Sequence, residues 1–414
     1  MRQYSITLIA ALLAILTTGC PQSVTDSSGT GGIDDIVSAA SSVAGIDDSS
    51  DTSDGDNEPQ EPSQQSSTTR TFSGTLSGSG NYRLFDLGVA APGDRWTVSA
   101  NIPFDGPFVV VLFDEDDSLL MRTYMSYSNS LRHVVRAGTS NLKLGIMPPI
   151  SGNGGNFRLR AALDTGHAIP QPVTQVVWVN FAGGNNVQVH SRDPISFAPF
   201  DAQMINTDYA GQTQAMRDMI IEEMRADYAT YNVTILSSDD CPRPDGPHSV
   251  VHFGGDEPGL LGLADSVDNY NQNLSQEAMV YVDNFAPYWT MQLEPDEMSV
   301  MVANVASHEL GHLLGLYHTS DPDDIMDTTG SAWDLAENQA FLGGPLEESV
   351  FAIGWEDTPT LLEQIVGGKP AGEQSAKSSL REKSAKTARY KAIRRFAQQE
   401  LTSRCGTCLS LAQE

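Results

Sequence analysis

Three histidines at positions 308, 312 and 318, with Glu309 beside the first and Gly315 between the last two, restrict this chain more than any other feature of its sequence. Side chains four apart share one face of an α-helix, so His308 and His312 can offer imidazole nitrogens to a single ion at roughly 2.0–2.1 Å. A helix continuing straight through His318 would carry the third ring about a turn and a half away. Gly315 resolves this, because a residue without Cβ adopts positive φ, ends the helix and lets His318 turn back. Three nitrogens then leave a fourth position for water, with Glu309 near the ion but not obliged to bind it. Val302, Val305, Ala306, Leu310, Leu313 and Leu314 give the helix an apolar face to bury. A single histidine would be read as ordinary core, but this five-position pattern arises by chance on the order of 10⁻⁵ per chain from rough residue frequencies. The stretch therefore predicts a zinc site with His308, His312 and His318 as ligands.

The segments ahead of it fit a mixed sheet. A linker around 164–172 leads to an apolar, β-branched strand at 173–181, then a helix at 216–231 with Met219, Ile220, Met224 and Tyr228 at helical spacing. Strands at 233–236, 250–253 and 278–282 follow, the last just before the histidine helix.

The signature His308-Glu309-Leu310-Gly311-His312-Leu313-Leu314-Gly315-Leu316-Tyr317-His318 resembles that of the metzincin clan of zinc endopeptidases, and Thr319, Ser320 and the nearby Met326 make it most similar to the matrixin branch. The resemblance implies an α+β catalytic domain over 172–360, a mixed twisted sheet plus an active-site helix, with Met326 in a methionine turn beneath the ligands. It implies hydrolysis of internal peptide bonds of proteins, with Glu309 as general base to a zinc-activated water. Thr328 stands where astacin-like and serralysin-like members carry a tyrosine ligand, so no such ligand is expected. Matrixins use histidines near the positions of His248 and His252 for a second, structural zinc; here core or surface roles are favoured. Acidic clusters at 114–117, 239–240, Asp265 with Asp268, and Asp321 with 323–324 could offer oxygens to Ca²⁺, although none has EF-hand spacing.

Between 70 and 165 short apolar runs such as Tyr82–Leu87, Trp96–Ala100 and Phe108–Phe113 alternate with Gly, Pro and Asn turns, and no helical period interrupts them. A small all-β sandwich preceding the catalytic domain is the reading. It resembles the pre-peptidase C-terminal type of β-sandwich in Gly80–Leu87 and Val111–Asp116. A propeptide is the rival, yet no cysteine lies between Cys20 and Cys241 to plug a zinc site as a thiolate.

The chain ends read differently. Residues 1–20 carry a short apolar run from Ile6 to Leu16 and small residues before Cys20, a secretory signal too short to span a membrane. Leu16-Thr17-Thr18-Gly19-Cys20 resembles a bacterial lipobox, which implies acylation at Cys20 and attachment to the cell envelope; ordinary secretion is the alternative. Residues 21–69, rich in Ser, Thr, Asp and Gly, read as a disordered linker. From 367 to 414 basic residues predominate, as in a solvated tail or one drawn to an anionic surface. Cys405 and Cys408 suggest a local disulfide or an incidental pair. A formal charge of −29 excludes nucleic acid as a partner, since one polyanion repels another. The partners expected are protein or peptide substrates and, through the lipid, a membrane. The competing class is a surface binding or adhesion protein with an idle zinc site.

Overall fold

A computed structural model describes residues 68–370, apart from 79 and 139. The signal segment with Cys20, residues 21–67 of the linker, and the tail from 371 with Cys405 and Cys408 lie outside the described residues. The first part consists of eight strands: β1 (Thr68–Ser77), β2 (Arg83–Ala90), β3 (Arg95–Ala100), β4 (Phe108–Phe113), β5 (Leu119–Met125), β6 (Ser130–Val134), β7 (Ser140–Met147) and β8 (Gly154–Asp164). They form two four-stranded antiparallel sheets, ordered β1-β8-β3-β6 and β2-β7-β4-β5. Leu87, Trp96, Val98, Phe108, Val110, Leu112, Leu144, Phe157 and Leu159 pack between them as one core. Two strands were not legible in advance. β1 is almost wholly exposed and built of Thr, Ser and Gly, so it buries too little to show an apolar period, although it pairs with β8 along its whole length. β6 is a five-residue strand with charged and polar residues between Leu131 and Val134.

The second part is a mixed sheet with helices. β9 (Gln175–Asn180) leads into a hairpin of β10 (Gly184–Val187) and β11 (Ile195–Phe197), then α1 (Thr213–Asp227), β12 (Val233–Ser237), β13 (Ser249–Phe253), β14 (Gly262–Ala264), β15 (Glu277–Val280) and α2 (Pro295–Leu314). The sheet order is β12-β9-β13-β15-β14; every pair is parallel except β14 with β15. A parallel sheet needs helical cover, and β13 is buried at every position, as such a sheet requires. α1 stops at Asp227, earlier than the helix spacing predicted, because Tyr231 leaves the helix to bridge Gly368 and Asn232 donates its N–H to Gly367 O. Residues 367–369 are thereby tied to the folded body, with Lys369 N–H donating to Thr230 O at 2.8 Å. Cys241 is buried and disulfide-bonded. Among the described residues no helix is long and apolar enough to cross a membrane.

β4 explains how the two parts meet. All six of its residues are buried, whereas a strand with one face to solvent would alternate. Phe108, Val110 and Leu112 point into the core between the sheets, and Val109, Val111 and Phe113 point the other way, onto Tyr317, Leu346, Val350 and Phe351. A further contact comes from β6, where His133 is 5% exposed and its ring lies 5.6 Å from that of Tyr270.

Burial, and then the charge of Arg136, lower the His133 pKa to about 4. The folded form thus holds a neutral ring that an unfolded chain would protonate below about 6.5. Stability is therefore fully present above 6.5 and is lost as pH falls towards 4. The expected loss through this histidine is about 3 kcal/mol. Urea unfolding of His133→Gln at pH 7 and pH 4 should show that share of the acid sensitivity gone; an unchanged pH slope would count against it.

Candidate metal centre

α2 begins at Pro295, with the Glu294 side chain capping the first turn and Glu297 returning a bond to Glu294 N–H at 2.8 Å. From Met301 to Leu314 every residue is buried, so the helix runs through the interior against α1, β14 and β15. It ends at Gly315, whose φ is +105°. Leu316 N–H bonds back to Gly311 O, and Gly315 N–H to His312 O. A second reason for glycine is crowding. A Cβ at 315 would stand 2.5 Å from Asp268 O and 2.8 Å from Tyr270 N, because that loop lies directly on the turn and Asp268 N–H donates to His312 O.

The turn brings His318 back. The rings of His308, His312 and His318 lie 4.8–5.1 Å apart, centre to centre, and one nitrogen from each falls within 4.8 Å of the others. All three are buried, His312 completely. His308 Nδ1 bonds to Ile325 O at 2.7 Å and His312 Nδ1 to Leu316 O at 2.8 Å. A carbonyl only accepts, so both Nδ1 atoms carry the proton and both Nε2 atoms present bare lone pairs. His308 Nε2 is buried without a partner, and His312 Nε2 faces His318 Nε2 at 3.1 Å. Burial lowers the pKa of His308 to about 4; burial first, and neighbouring imidazoles second, push His312 and His318 well below the ordinary value. Three converging neutral imidazoles, two of them oriented by backbone carbonyls and one, His308, with an unpartnered buried nitrogen, are what a borderline-soft cation such as Zn²⁺ takes as ligands. The residues present fit the ion.

Glu309 is 1% exposed, with its carboxyl group against the backbone of Gly262 on β14. Met326 is fully buried beneath the helix. A Cβ on Gly311 would come within 2.6 Å of its sulfur, so this mid-helix glycine, whose role the sequence reading missed, makes room for the methionine. A glycine inside a strongly helical pattern was the available signal. The Met326 turn is fastened by Thr319 N–H to Met326 O at 3.0 Å and Thr319 Oγ1 to Asp324 Oδ2 at 2.8 Å.

Among the described residues, these histidines are the only group of three His, Cys, Asp or Glu side chains so convergent. The acidic clusters considered for calcium do not converge: Asp239 and Asp240 pair with Arg217 and Arg225, Asp117 pairs with Lys143, and most of the others accept from the local backbone. Asp114 accepts from Asp116 and Ser118 N–H, Asp265 from His190 and Glu277 N–H, Asp268 from Asn273 N–H, and Asp323 N–H donates to Asp321. His248 and His252 are fully partnered, the first by Gly246 O and Arg243, the second by Asn180 and Glu277.

The Matrixin family model matches residues 232–339, the stretch that carries all three histidines, Glu309 and Met326. No curated protein matches the chain. Among solved structures, archaemetzincin from Methanopyrus kandleri is similar at 16% identity and a TM-score of 0.24, covering 42% of this chain and 92% of its own. PliG of Aeromonas hydrophila, a periplasmic inhibitor of g-type lysozyme, is similar at 11% identity and a TM-score of 0.20, covering 26% and 92%. The Matrixin match and the histidine geometry point the same way. Together they support a metzincin-like zinc metallopeptidase.

Proposed function

We propose that this chain is a zinc-dependent endopeptidase that hydrolyses internal peptide bonds of proteins, with His308, His312 and His318 as metal ligands and Glu309 as general base. The observation that carries it is the set of three buried imidazoles that each bring one nitrogen within 4.8 Å of the others. Bound zinc would supply a Lewis acid that lowers the pKa of water towards about 7 and polarises a carbonyl. In this reading Glu309 accepts a proton from the attacking water and passes it to the leaving amine. Gly315 and Met326 shape the site, the one by turning the chain and the other by supporting the rings from below. The sequence before Cys20 supports export and lipid attachment at that residue, which would put the enzyme at the cell envelope with protein or peptide substrates within reach.

Elemental analysis of the purified chain tests this together with cleavage of an unstructured protein. One zinc per chain is expected, with cleavage lost on chelation and restored by added zinc. Folded protein without transition metal, or cleavage indifferent to chelator, would overturn the assignment.

A further inference from the structure

His308 and His312 are fixed by one rigid helix, whereas His318 follows the Gly315 turn and has no helical ladder to hold it. Its placement depends on what grips residues 317 and 318. Much of that grip comes from the all-β part. Arg122, on β5, is 5% exposed, and its guanidinium donates Nε to Val350 O at 2.9 Å and Nη2 to Ser349 O at 3.1 Å. Among the described residues no carboxylate forms a salt bridge with it. Its Cζ lies 4.5 Å from the ring centre of Tyr124 and 5.5 Å from that of Tyr317. The backbone oxygen of Arg122 also accepts from Tyr317 OH at 3.2 Å and from Asn269 Nδ2 at 3.1 Å.

Two routes lead from this residue to the third histidine. Through the first, Arg122 holds Tyr317 by ring face and hydroxyl, while both carboxylate oxygens of the buried Glu356 accept Tyr317 N–H at 2.9 and 3.0 Å. Through the second, Arg122 fastens the carbonyls of 349 and 350. That turn is closed by Val350 N–H to Glu347 O, and Glu347 N–H donates to His318 O at 3.1 Å. Burying a guanidinium against carbonyl dipoles and ring faces alone is expensive, and an apolar side chain would fill such a seam at lower cost. What the fork provides is bidentate geometry.

We infer that the all-β part is a structural component of the metal centre, with Arg122 as the positioning residue of His318. This rests on the zinc reading proposed above. Arg122 touches neither the ion nor the substrate; it acts through Tyr317 and the 347–350 turn.

The test uses the full chain, zinc affinity by competition with a chromogenic chelator, and the visible absorption of the Co²⁺-substituted protein. Arg122→Lys is the decisive variant. It keeps the positive charge, so it leaves unchanged the repulsion between this side chain and a divalent ion, and loses only the fork. Its zinc affinity should fall roughly 10- to 100-fold and its Co²⁺ bands should shift. Val111→Ala, a cavity in the same apolar seam that removes no hydrogen bond or cation–ring contact to Tyr317 or to the 347–350 turn, should lower stability yet leave affinity within about twofold and the bands in place. Folded Arg122→Lys with wild-type affinity and spectrum overturns the inference, as does an equal loss of affinity in Val111→Ala. Should Arg122→Lys not fold, Tyr317→Leu decides by the same two readings, since it removes the gripped ring while sparing the carbonyl contacts. Failure of the wild-type chain to bind zinc would instead sink the metal reading itself.

Discussion

Glu309→Gln is expected to lower the rate of peptide hydrolysis by roughly 10²- to 10⁴-fold while leaving zinc content at the wild-type level. Glutamine has the shape of the native side chain, and the space is strict. The carboxyl group lies on Gly262 of β14, where even an added methyl on the glycine would collide with it. An isostere therefore leaves the helix and the three imidazoles undisturbed and removes only the capacity to take a proton. Comparison of kcat/KM on a peptide substrate with metal content on the same preparation separates the two roles. A variant that cleaves at the native rate would remove Glu309 from the reaction, and one that loses its zinc would make it a structural residue.

Gly315→Ala should destabilise the protein by about 3 kcal/mol and weaken zinc binding with it. Two costs add. A φ of +105° is strained for any residue with Cβ, and the new methyl would meet Asp268 O and Tyr270 N, both backbone atoms that cannot rotate aside. Tyr270 is itself held between His133 and Arg136, the latter 4.1 Å above its ring, so the loop has little room to retreat. Asparagine tolerates positive φ better than alanine, so Gly315→Asn distinguishes the contributions. If φ alone mattered it would recover most of the stability; the crowding predicts that it does not. Urea midpoints of the two variants settle the matter, and a Gly315→Ala protein within 1 kcal/mol of wild type would refute the account.

The legibility of the chain follows the range of the forces involved. The histidine site was readable because its geometry is set by spacing along one helix and by one glycine, both local. The core strands β3, β4 and β13 were readable from apolar content, and the partnered state of His248 and His252 agreed with a core or surface role. β1 and β6 escaped because an exposed edge of Thr, Ser and Gly has no period to show. The Cβ-free positions at Gly262 and Gly311 were visible as glycines, but what crowds them comes from Glu309 and Met326 across the fold. Arg122 was the least legible of all. A lone arginine in a strand reads as a solvated side chain, and nothing nearby in sequence announces carbonyls at 349 and 350 or a tyrosine at 317. The run at Phe108–Phe113 was readable as a strand, but that both of its faces are buried was not read from it, because what covers the second face lies far along the chain, at Tyr317, Leu346, Val350 and Phe351.

That second face has a consequence for how such a chain can change over time. With Val109, Val111, Phe113 and Met147 closed over by Tyr317, Leu346, Val350 and Phe351, neither half can be exchanged for an unrelated module without baring an oily patch on the survivor. Insertions and shuffled partners should therefore accumulate at the far ends of the polypeptide, and the two halves should be inherited together.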